Sequence, residues 1–67
     1  MKYGKNARVG NIPVFSRQGA IEAYKTFCKA FNKYGTMEAS AVLSSAMLDM
    51  FDLGFTASEC EAIELYA

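Results

Sequence analysis

Two short strings, Gly35-Thr36 and Gly54-Phe55-Thr56, cut the second half of this chain into segments that read as helices. Glycine stops a helix readily because it tolerates left-handed backbone. A threonine just beyond it opens the next helix by accepting a hydrogen bond from the first turn's free N–H groups. The second junction is the stronger one: Thr56 and Glu59 have the spacing of a capping box, and Phe55 stands in the staple position opposite Cys60.

Apolar spacing fills in what lies between these junctions. Ile21, Tyr24, Phe27, Cys28, Phe31 and Tyr34 recur three or four residues apart and give one broad aromatic face. Ser16 is placed to cap this first helix, with Phe15 as half of a hydrophobic staple, although Gly19 weakens the first turn. The sequence thus predicts an all-α fold, a small three-helix domain with helices at about 17–34, 37–53 and 57–66. The step Leu53-Gly54-Phe55-Thr56 resembles the loop of ubiquitin-associated domains, and equally helix junctions in several DNA-binding regulators. It implies a helix junction and no particular family.

Residues 1–15 are read as an N-terminal extended arm or short β-hairpin preceding the helical domain at 16–67. Gly4, Gly10 and Pro13 punctuate it, and Val9-Gly10-Asn11-Ile12 sets a turn pair between β-branched residues. Pro13 lacks an N–H, so any strand here lies at a sheet edge. A lone hairpin is unstable in water, so Ile12, Val14 and Phe15 are expected to dock, on the chain's own helices or on a partner.

With 67 residues the core is small, and such domains usually need a disulfide, a metal or self-association. The chain has no histidine, and Cys28 and Cys60 are too far apart to act as a two-cysteine ligand pair, so neither metal nor cofactor is expected. Both thiols sit on apolar faces and are expected to stay reduced. The charged start Met1-Lys2-Tyr3-Gly4-Lys5-Asn6 does not read as an export signal. The apolar-rich stretch from Ala39 to Leu53 is too short and too interrupted to span a bilayer. A cytoplasmic protein with no membrane association is the expectation.

Charge is segregated along the chain. All seven basic residues (Lys2, Lys5, Arg8, Arg17, Lys25, Lys29 and Lys33) precede Tyr34 and are opposed there only by Glu22; Glu38, Asp49, Asp52, Glu59, Glu61 and Glu64 follow with no base among them. The formal charges of +6 and −6 either fold together or address different partners. Lys25, Lys29 and Lys33 form a stripe that, with Lys2, Lys5 and Arg8, is suited to a phosphate backbone or an acidic protein. Glu38, Glu59 and Glu61 are welcome in first turns, but Asp49 and Asp52 occupy the wrong end of their helix for an anion. Arg17, or Arg8 from the arm, is expected beside them; otherwise they engage a basic patch on a partner.

The second helix is the unusual one. Its strongly polar residues, Glu38, Ser45, Asp49 and Asp52, cover only about 60° of the helical circumference. One neighbour cannot cover the rest, so this helix is either central to the fold or turned toward another molecule. Met37, Ala41 and Leu48, with Tyr24 and Phe31 of the first helix, are the candidate apolar contact residues. Nothing equips the chain for catalysis: without histidine a serine or cysteine lacks its commonest base, and there is no phosphate loop or dinucleotide fingerprint. The expected role is therefore a non-enzymatic one, binding another protein as a small regulator or inhibitor of the kind phages carry, with self-association through the second helix. Two alternatives remain open: nucleic-acid binding through the basic arm and lysine stripe, and a structural subunit of a homo-oligomer.

Overall fold

In the computed structural model, which describes residues 3–4 and 6–67, a hairpin of β1 (Arg8–Val9) and β2 (Ile12–Pro13) precedes three helices. These are α1 (Arg17–Tyr34), α2 (Met37–Asp52) and α3 (Ala57–Tyr66). The strands are antiparallel, with Arg8 opposite Pro13 and Val9 opposite Ile12, so Gly10 and Asn11 make the turn. Glycine is required at position 10 twice over. Its φ is +63°, and a Cβ there would stand 2.6 Å from the ring of Phe27.

The arm docks on the chain's own helices. Val9 and Val14 are buried in the common core, and β1 touches both α1 and α2. Phe15 corrects the sequence expectation: it is 68% exposed and contributes no docking. Successive side chains of extended backbone point to opposite sides, so burying Val14 turns Phe15 outward. Ile12 is partly buried beside the core.

Each helix start carries the predicted cap. Ser16 accepts from Gly19 N–H, Thr36 accepts from Ala39 N–H, and Thr56 and Glu59 form the reciprocal capping box. The stops agree as well. Gly35 takes left-handed backbone and bonds the Phe31 carbonyl. At the end of α2, Gly54 N–H donates to the Phe51 carbonyl and Phe55 N–H to the Met50 carbonyl, the two bonds of a Schellman turn. Phe55 and Cys60 are both buried, as the staple requires.

The core lies between α1 and α2 and is closed by α3 on one side and the hairpin on the other. Tyr24, Met50, Val9, Val14 and Cys60 are its largest fully buried side chains, with Ala20, Ala23 and Ala46 beside them. Small residues at these positions let neighbouring backbones approach closely. The aromatic face of α1 is covered only over its first turns: Tyr24 and Cys28 are buried, whereas Phe31 and Tyr34 reach the surface. α3 has 10 residues against 18 in α1, too few to shelter that whole length. α2 packs on α1, β1 and α3, burying Ala46 and Met50, and still leaves its outer side uncovered.

Candidate interaction surface

The uncovered side of α2 has a regular composition. Met37, Ala41, Ser44, Leu48 and Phe51 follow one another at intervals of four, three, four and three residues, and all five are exposed. Met37 is 89% and Leu48 64% accessible, values that a side chain in a core does not have. This spacing lays the residues along one edge of a helix, the arrangement that seats a second helix in a coiled-coil seam. Glu38, Ser45 and Asp52 border the strip on one side, and Ser40 and Met47 on the other.

Of the apolar contact residues expected from sequence, Met37, Ala41 and Leu48 stand together on this strip. Phe31 is exposed at the far end of α1. Tyr24 is a correction: it has no solvent exposure and cannot touch a partner. It faces inward because its hydroxyl finds an internal acceptor, donating to Glu64 Oε2 at 2.7 Å. Burial, then that bond to a carboxylate, drives the Tyr24 hydroxyl's pKa well above its ordinary value.

The charged candidates are scattered. Lys29 and Lys33 are exposed and Lys25 is partly buried, while Lys33 lies over the adjacent Tyr34 ring at 5.3 Å. Arg8 is exposed on the hairpin; Lys2 and Lys5 lie outside the described residues. Arg17 does not reach Asp49 or Asp52. It pairs with Glu59 at the start of α3 and rests over the Phe55 ring, 4.4 Å from its centre. The antiparallel α1–α2 arrangement brings the α2–α3 junction to the start of α1, and Arg17 meets the capping-box carboxylate there. Glu59 is held below its usual carboxyl range by the Thr56 N–H first and by Arg17 second.

Arg8, Asp49 and Asp52 line one polar cleft, but no ion pair joins them; Arg17–Glu59 is the only ion pair among the described residues. The partner of Asp49 is the backbone: Gly10 N–H donates to its Oδ2 at 2.8 Å. A carboxylate at an unfavourable helix end thus anchors the hairpin turn. No protein-family model, curated protein or solved structure matches this chain.

Cys28 and Cys60 are free and buried. Burial, with Glu64 nearby, pushes the Cys28 thiol up to about 11 and raises Cys60 for the same reasons, so neither is poised as a nucleophile. Among the described residues no three His, Cys, Asp or Glu side chains gather as a metal site would need, and no helix is long and apolar enough to cross a membrane.

The three helices also leave an open groove of about 440 Å³ between them. Phe31, Leu43 and Leu65 supply its apolar walls, Cys28 lies beneath, and Glu61 and Glu64 line it from α3. The expectations from sequence include no role for Leu43, Phe51 or Leu65, and place Glu64 only among the acidic residues of the second half. Phe51 was legible, because it continues the spacing of Met37, Ala41 and Leu48. The groove was not, since it depends on where the short α3 ends against α1.

Proposed function

We propose that this protein is a small non-enzymatic interaction module that binds another protein through the outer strip of α2 and thereby modulates that protein's activity. One observation carries the proposal: five residues at coiled-coil spacing, including Met37 and Leu48, stay in water on a chain that has little apolar surface to spare. A domain of this size gains nothing in folding by exposing them, whereas a partner helix would bury them all on one edge. Lacking groups suited to catalysis, such a module acts by occupying or reshaping its partner, as a regulator or inhibitor does.

The test is a comparison of Leu48→Glu with the native sequence as tagged baits in the native host. Leu48 is exposed, so the variant should melt like the parent while losing the parent's captured protein, because a charge is driven into an apolar seam. Capture of the same protein by both baits would remove α2 from the interface. Sedimentation of the purified chain distinguishes a homodimer: if the strip is filled by a second copy, the parent sediments as a dimer and the variant as a monomer.

A further inference from the structure

The groove between the helices has a chemical character of its own, separate from the α2 strip. Its walls are Phe31, Leu43 and Leu65, and Leu65 is 82% exposed at the rim. Its volume of about 440 Å³ falls in the range of pockets that hold a ligand or a few side chains of a peptide. Asn32 of α1 and two carboxylates of α3 interrupt this apolar lining. Glu61 and Glu64 lie three residues apart, on one side of α3.

Neither carboxylate has a cation among the described residues. The only ion pair among the described residues uses Glu59 instead, and no Lys or Arg follows Lys33. Glu64 is also badly placed for its own helix. It stands in the last turn of α3, where the dipole disfavours an anion, and that turn has no basic residue. Its position is nevertheless held, because the buried Tyr24 hydroxyl donates to Oε2. Oε1 has no hydrogen-bond donor among the described residues. The result is a half-buried carboxylate, pinned on one oxygen and open on the other, in apolar surroundings.

We infer that this groove receives an arginine-bearing, otherwise apolar segment of a partner protein. Arginine fits better than lysine on three counts. Its planar guanidinium can donate to Glu64 Oε1 and Glu61 together, it stacks on an aromatic ring such as Phe31, and it sheds water more readily than an ammonium group. The aliphatic stem and flanking leucine-like side chains cover Phe31, Leu43 and Leu65. Charge complementarity selects this occupant: the groove's two carboxylates call for a cation, and this chain's own Arg17 is already paired with Glu59.

The probe is the acetylated peptide amide Leu-Arg-Leu-Leu, titrated to millimolar concentration into the isotope-labelled full chain and followed by amide chemical shifts. Shifts should cluster at Phe31, Leu43, Glu61, Glu64 and Leu65, and the peptide with citrulline in place of arginine should bind roughly tenfold more weakly. Glu64→Gln keeps an acceptor for Tyr24, and it and Glu61→Gln should each weaken binding roughly three- to tenfold. Leu48→Glu should bind the peptide as the parent does, which separates this groove from the α2 strip. Equal binding of the arginine and citrulline peptides, or no shifts at the groove, overturns the inference. Groove shifts that track protein concentration without peptide make a second copy the occupant and overturn it too.

Discussion

Replacing Asp49 by alanine tests whether a single long-range bond holds the arm against the helices. In the native chain Gly10 N–H donates to Asp49 Oδ2 at 2.8 Å in a partly buried setting. A hydrogen bond to a charged group contributes about 1.5–3 kcal/mol, and partial exposure here argues for the lower figure. Two effects oppose the loss. Removing an anion from the last turns of α2 recovers about 0.3–1 kcal/mol of helix-dipole energy, and alanine is the better helix former by about 0.5 kcal/mol. The net destabilisation is then at most about 0.7 kcal/mol, and since 1 kcal/mol moves Tm by about 4–8 °C in a domain of this length, Tm falls by up to about 3–6 °C. Asp49→Asn retains an oxygen acceptor without the charge and should stay within about 0.5 kcal/mol of the parent. Thermal melting by circular dichroism gives the ranking, and hydrogen exchange at the Gly10 amide gives the location. An alanine variant that melts at or above the parent, with Gly10 exchanging no faster, would refute the assignment of Asp49 as the anchor of the hairpin.

Glu59 provides a pH signature. Because Thr56 N–H and Arg17 lower its folded pKa, its contribution is complete above the unfolded carboxyl value of about 4.3 and fades as pH falls through the lower folded value. Melting temperature should therefore decline with acidification below about pH 4.3, and Glu59→Gln, which keeps a capping side chain, should flatten that decline; an unchanged slope would assign the acid sensitivity elsewhere. The buried thiols of Cys28 and Cys60 should react with Ellman's reagent at neutral pH only as fast as the protein opens, since burial holds both in the protonated form. Rapid labelling of either cysteine in the folded protein would contradict its burial.

Helix limits, caps and the hairpin turn were legible in the amino-acid order because each depends on residues within about four positions of one another. Ser16, Thr36 and Thr56 cap through the third residue onward, and Gly35 turns where only local backbone freedom matters; the turn at Gly10 was legible for its left-handed φ, though not for the closeness of Phe27. The exposed strip on α2 was legible in the same way, as a shortage of polar residues on one helix. The contacts that sequence misplaced are the long ones. Gly10 to Asp49, Tyr24 to Glu64 and Arg17 to Glu59 span 39, 40 and 42 residues. Which carboxylate meets which donor across such separations depends on how deeply each helix sits and where the shortest one ends. Tyr24 and Phe31 belong to one apolar face, yet α3 and the hairpin cover the first and leave the second at the mouth of a groove. Periodicity marks a face as apolar; only packing decides which part of it stays dry.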